Sequence, residues 1–365
     1  MSELLRRLAR PELRDLRPYT PGAYEPGLIR LNANESPWRM PGDPTERGLN
    51  VYPPPRPAAL RERLAWYYGC DPRELLVTRG SSEAIDVLVR GFCRAGRDRI
   101  LICPPTFDMY RLYAGIQDAG VLAVPLKRAA SPGGRGVFHF DPDAVIAAVD
   151  DTVKLVFVCS PNNPTGHSTR RGDIERVCEA LAGRALVVID EAYHEFSDAG
   201  NFLDFRARYE HVVLLRTLSK FVSLAGVRCG ALLADPAIVT YAENVLPPYT
   251  FPTPSIELVL EALTDESLRV ARERVSLIKA ERRRLAEALA DVPQVVRVFP
   301  SDANFVLVET TDGLRFRNAA RNAGILVRMF DDPLLENCVR ITVGRPEDND
   351  RLLQAVSGAE RIGHG

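Results

Sequence analysis

Between residues 57 and 235 the chain alternates short apolar runs, rich in β-branched residues, with longer stretches of helical periodicity. The runs are LLVT (75–78), RILIC (99–103), VLAVPL (121–126), KLVFVCS (154–160), ALVVID (185–190), VVLLRT (212–217) and CGALLA (229–234). Each is continuously apolar rather than alternating, which predicts strands buried on both faces. Helical stretches between them predict a mostly parallel, seven-stranded sheet in an α/β domain. The pattern changes at LPPYTFPTPS (246–255), and a long charged helix follows, with Leu268, Ala271, Val275, Ile278, Leu285 and Leu289 at helical spacing. Beyond Pro293 come VVRVFP, NFVLVE, a helix near 313–323, ILVRMF, CVRITV and a last helix near 346–359. These predict a smaller α+β domain. The expected division is an N-terminal arm with part of the small domain (1–45), a large domain (46–248) and a small C-terminal domain (249–365). The Pro-rich first 35 or so residues are expected to pack on the small domain or on a partner, and AASPGGRG (129–136) to form a surface loop.

Composition narrows the function classes. The chain has 365 residues, 46% hydrophobic, which excludes general disorder. Its net charge of −1 argues against a dedicated nucleic-acid binder. No apolar run is long enough to span a membrane, and the N-terminus lacks the apolar stretch of a secretory signal. Seven scattered cysteines with no CxxC pair fit a reducing cytosol, and neither a disulfide framework nor a zinc site. Only four of the 47 basic residues are lysines: Lys127, Lys154, Lys220 and Lys279. Chemistry that needs an amine therefore has four candidates.

In open α/β sheets ligands sit beyond the carboxyl ends of the strands. Here those ends carry Arg79-Gly80-Ser81-Ser82-Glu83, Pro104-Pro105-Thr106-Phe107, Ser160 to Gly166 (SPNNPTG), Asp190-Glu191-Ala192-Tyr193 and Thr217-Leu218-Ser219-Lys220. Gly80-Ser81-Ser82 opens a helix and suits a phosphate, or an ordinary N-cap. With neither GK[ST] nor GxGxxG, a nucleotide hydrolase and a nicotinamide dehydrogenase are both weakened. Asp190 ends the most apolar strand, as an N-cap or as a buried carboxylate needing a partner. Lys220 follows a buried strand, where it is either a solvated loop residue or an amine able to form an imine. Arg328 and Arg340 interrupt apolar strands and suit either an anion or a structural salt bridge.

The order of these motifs is more specific than any one of them. Asn163-Pro164-Thr165-Gly166, then Asp190-Glu191-Ala192-Tyr193, then Ser219-Lys220 with Arg228 eight residues on, then Arg340, resembles the fold-type I aminotransferases that use pyridoxal phosphate. Within that group, LNANESP (31–37), Tyr52-Pro53, CSPNNPTG, VIDEAYHEF, TLSK with LAGVRCG, ANFVLV and VRITVG resemble the histidinol-phosphate aminotransferase family. The resemblance implies that Lys220 holds the cofactor through an imine and then shuttles a proton. It implies that Asp190 pairs with the ring nitrogen and that Asn163 and Tyr193 bond the ring hydroxylate. Tyr110 would stack on the ring. Gly80, Ser81, Ser82, Thr217, Ser219 and Arg228 would cradle its phosphate, with Tyr52 arriving from a second subunit of a homodimer. Arg340 would hold the carboxylate of glutamate or 2-oxoglutarate. Arg328, Tyr19 and Arg340 would hold the phosphate of histidinol phosphate, with Asn34 on the substrate side. Departures are Pro54 after Tyr-Pro, Ser82 where an acid is common, and FVSLAG after the lysine. The expected activity is cytoplasmic transamination in histidine biosynthesis. The alternatives are a related aminotransferase or phospho-amino-acid decarboxylase, and a non-catalytic regulator.

Overall fold

The computed structural model describes residues 2–17, 22, 28–129 and 137–358. Its strands are β1 (Leu75–Thr78), β2 (Arg99–Ile102), β3 (Gly120–Ala123), β4 (Lys127–Ala129), β5 (Val137–His139), β6 (Val153–Cys159), β7 (Leu186–Asp190), β8 (Val212–Thr217), β9 (Gly230–Leu233), β10 (Val295–Val298), β11 (Phe305–Thr310), β12 (Arg328–Met329) and β13 (Cys338–Thr342). The seven apolar runs each supply one strand of the large sheet, in the order β1-β9-β8-β7-β6-β2-β3. The pairs from β8 through β7, β6 and β2 to β3 are parallel, and β9 runs antiparallel to both its neighbours.

The continuity of those runs has a direct physical cause. Alternate residues of each strand enter two different cores. Leu76, Ile100, Phe157, Val188, Leu215 and Leu232 pack on one face, beneath the helices Gly80–Phe92 and Pro236–Val245. Val77, Leu101, Val156, Ile189, Leu214 and Leu233 pack on the other, beneath Ala58–Tyr68 and Arg171–Ala180. With no wet face there is no polar alternation.

Two expectations are corrected. The N-terminal helix Glu3–Leu8 buries Leu4, Leu5 and Leu8 in the core beneath Gly80–Phe92, so this part of the arm belongs to the large unit. Its docking is fixed where Arg10 N–H donates to Gly91 O, a carbonyl that also accepts from Tyr241 Oη at 2.6 Å. The helix Asp265–Ala290 serves both units. Leu268, Ala271 and Val275 join the large sheet's core, whereas Leu285 and Leu289 join the small one. The first of these cores also takes Phe305, Leu307 and Cys338 from the small sheet, so the two units share it and residue 249 marks no break between cores.

The small unit carries the antiparallel sheet β10-β11-β13-β12, backed by Gly313–Asn322 and Pro346–Ser357. β4 and β5 pair as a separate hairpin, and residues 130–136, read as a loop, lie outside the described residues. No helix among the described residues is long and apolar enough to cross a membrane.

Candidate active site

A cavity of about 400 Å³ opens at the carboxyl ends of β1, β6, β7 and β8 and is closed on one side by the small sheet. One wall is an oxyanion cradle. Gly80 adopts φ +75°, and a Cβ there would lie 2.7 Å from Arg228 Nη2, so only glycine lets the guanidinium approach this backbone. Ser81 and Ser82, in the first turn of the helix that Gly80 begins, line the cavity beside Thr217, Ser219 and Arg228. Arg228 Nη1 donates to Ser219 Oγ (3.3 Å) and Ala225 O (3.0 Å), while Thr217 Oγ1 donates to Ser219 Oγ at 2.9 Å. Hydroxyls, a guanidinium and a helix N-terminus thus meet at one point, the chemistry that holds a phosphate.

The floor is Asp190, 2% exposed at the end of β7. Its Oδ2 accepts from Tyr110 Oη at 2.8 Å and its Oδ1 from Ala192 N–H at 3.1 Å. Burial pushes this carboxyl up to about 6 despite both bonds, so it is poised for a cationic N–H partner. Behind it, Arg216 Nη2 meets Glu191 Oε2 at 2.8 Å, a fully buried ion pair on the residues adjoining Asp190 and Thr217.

Lys220 reaches into the cavity with its Nζ 5.7 Å from the Tyr193 ring centroid, and this amine makes no hydrogen bond or ion pair among the described residues. Burial, then the charges of Arg340 and Arg228, pull its pKa below the ordinary lysine range. That raises the share of neutral, nucleophilic amine. Tyr193 is held edge-on to Phe305, and burial keeps its phenol protonated. The Asn163 loop is braced by Asn162, whose Nδ2 donates to Pro105 O and whose Oδ1 accepts from Thr106 Oγ1.

Arg328 and Arg340 are cross-strand partners on β12 and β13. The Phe330 ring lies 5.7 and 5.5 Å from their guanidinium carbons. Neither makes an ion pair among the described residues, so the salt-bridge alternative fails for both. Arg340 donates instead to Asn163 Oδ1.

Of the sequence candidates, Ser81, Ser82, Asn163, Asp190, Tyr193, Thr217, Ser219, Lys220, Arg228, Arg328 and Arg340 line this cavity, and Gly80 adjoins it. Tyr110 does not. It is wholly buried, stacked on Phe157 at 4.6 Å, and it braces Asp190 from behind. Phe107, three residues earlier, lines the cavity instead, as do Thr106, Asp108 and Phe330. Tyr52 is 49% exposed and stacks on Tyr249, and Asn34 is exposed at φ +56°; neither lines the cavity of its own chain. Tyr19 lies outside the described residues.

Residues 43–356 match the family model of class I and II aminotransferases. The chain is 43% identical over 359 residues to the histidinol-phosphate aminotransferase of Xylella fastidiosa, covering 97% of each. It is 44% identical over 331 residues to that of Xanthomonas campestris, covering 90% of each. The fold superposes with TM-score 0.75 on the histidinol-phosphate aminotransferase of Sinorhizobium meliloti solved with pyridoxal 5'-phosphate, at 24% identity over 86% of this chain and 83% of that one.

Proposed function

Because the chain belongs to the class I and II aminotransferases, and within them to the histidinol-phosphate aminotransferases, we propose that it moves the amino group of L-histidinol phosphate to 2-oxoglutarate, giving imidazole acetol phosphate and glutamate. The cofactor is pyridoxal phosphate. The observation that carries this reading is the position of Lys220, an unpaired, partly buried amine between an oxyanion cradle and two arginines that lack carboxylate partners. When bound, the cofactor supplies an electron sink that loosens the proton on the amine-bearing carbon.

The residues present fit that group. Its phosphate matches Ser81, Ser82, Thr217, Ser219, Arg228 and the backbone at Gly80. Asp190 would keep the ring nitrogen protonated, and Tyr110 would hold Asp190 in place. Tyr193 and Asn163 would donate to the ring oxygen. Phe107 would cover one ring face, the task the sequence assigned to Tyr110. Lys220 would carry the proton across the face of the ring, since its lowered pKa lets one amine accept and return it. Arg340 would take the carboxylate of glutamate, and Arg328 with Arg340 the phosphate of histidinol phosphate. Two arginines without carboxylate partners among the described residues can serve both donors in turn.

Tyr52 and Asn34 are exposed and do not line their own chain's cavity, and Ile29, Leu31, Trp38 and Met40 are exposed as well. This supports a two-fold homodimer in which one chain completes the other's site. Seven free cysteines accord with a reducing cytoplasm, where the reaction would serve histidine synthesis.

A donor panel tests the reading. Purified protein is expected to turn over histidinol phosphate far faster than phenylalanine or unphosphorylated histidinol, and equal rates would reject it. Arg328→Ala is expected to hurt the phosphorylated donor about tenfold more than glutamate, the scale of a lost charged hydrogen bond.

A further inference from the structure

The cavity holds one acid that the reaction above does not use. Asp108 lines it from the start of the helix Met109–Ile116. An aspartate there would ordinarily cap the helix, but its backbone is already helical (φ −61°, ψ −22°), and its side chain makes no cap bond. Its carboxylate makes no hydrogen bond or ion pair among the described residues, yet Arg340 lies near enough to feel its charge. The other acid, Asp190, already has both oxygens engaged. The cavity thus offers an amine-handling lysine, a pair of anion-binding arginines and, within reach of Arg340's charge, one carboxylate with no hydrogen-bond or ion-pair partner among the described residues.

The two amino donors differ in what they bring to that third point. Both present an amine and an anion, but one adds an imidazole N–H and the other a second carboxylate. We infer that Asp108 is the donor-selecting residue: its carboxylate accepts the imidazole N–H of the donor while Arg328 and Arg340 hold the phosphate, and it repels the second carboxylate of glutamate. This rests on the proposed donor. It also gives the arginine pair a reason to be non-selective, because discrimination is delegated to a separate group. A carboxylate acceptor suits the task, since hydrogen bonds to charged groups are the stronger ones.

Calorimetry on the cofactor-loaded enzyme tests it with 2-(imidazol-4-yl)ethyl phosphate and propyl phosphate, neither of which carries an amine to react. Asp108→Ala is expected to weaken the imidazolyl compound about tenfold or more and propyl phosphate less than about twofold. Asp108→Asn, which keeps a neutral acceptor, should fall between. In turnover, Asp108→Ala should lower kcat/KM for histidinol phosphate and raise it for glutamate, opposite movements that mere structural damage does not produce. Equal weakening of both phosphates, or of neither, overturns the inference. Turnover by the wild type separates the two ideas. If histidinol phosphate is not a substrate but imidazole binding still depends on Asp108, the donor is wrong and the ring site stands. If it is a substrate and the variants match wild type, only the ring site falls.

Discussion

At the scale of single residues, two buried titratable groups, one in the cavity and one beside it, respond to pH in opposite senses. Asp190 has its carboxyl raised to about 6 by burial, above an ordinary value of 3.8. The folded chain then holds a proton that the unfolded chain has released, so stability is full below about pH 4 and is lost as pH rises through about 6. At about 1.4 kcal/mol per unit, the ionised form costs roughly 3 kcal/mol at neutral pH. Asp190→Asn is therefore expected to melt higher than wild type when both lack cofactor at pH 8, while binding pyridoxal phosphate far more weakly; a lower melting temperature would contradict this. His167 runs the other way. Burial lowers it to about 4 from 6.5, with Nε2 unpartnered and Nδ1 on Thr165 Oγ1. Its contribution is present above pH 6.5 and lost as pH falls towards 4. His167→Gln should flatten the acid limb of a stability–pH curve in that window.

At the scale of elements, the strands and their polar ends could be read from the chain because burial on both faces writes a continuous apolar run, and the runs of β1, β6, β7 and β8 stop where the cavity begins. Helix phase was harder to read. Phe107 and Tyr110 sit three residues apart at the start of one helix, nearly one turn, and the sequence alone does not say which ring faces the ligand. Packing against Phe157 keeps Tyr110 out of the cavity lining, which Phe107 joins. Asp108 went unremarked for a related reason: an aspartate before a helix looks like a cap, and only its backbone angles say otherwise. The place of the N-terminal helix is not legible in the chain, because Leu4, Leu5 and Leu8 would fit any apolar groove. The turn at Gly80 makes a sharper prediction. Gly80→Ala would adopt a disfavoured φ and push Arg228 away, so cofactor affinity should fall about tenfold or more, seen by fluorescence titration, with secondary structure intact.

At the scale of the whole molecule, the proposed shared site makes its own prediction. Mixing Lys220→Ala with Tyr52→Ala chains tests the shared site directly. In a mixed dimer one site has both an intact lysine and an intact partner tyrosine, so random reassortment should restore about a quarter of wild-type activity from two poorly active parents. No recovery would argue that each chain works alone. Sedimentation of Leu31→Asp should show dissociation if the exposed strip Ile29–Met40 is the contact.

The solitary amine in the cavity also makes occupancy countable. Lys127 pairs with Asp141, Lys279 with Asp198 and Lys154 with Asp151 O, all towards solvent, leaving Lys220 alone to receive an aldehyde. A lysine-specific protease cuts the bare chain into five pieces. Once borohydride has fixed the cofactor on Lys220, cleavage there fails, and the pieces 155–220 and 221–279 emerge as one. The ratio of fused to separate peptides would report, by mass alone, the fraction of molecules that had been loaded.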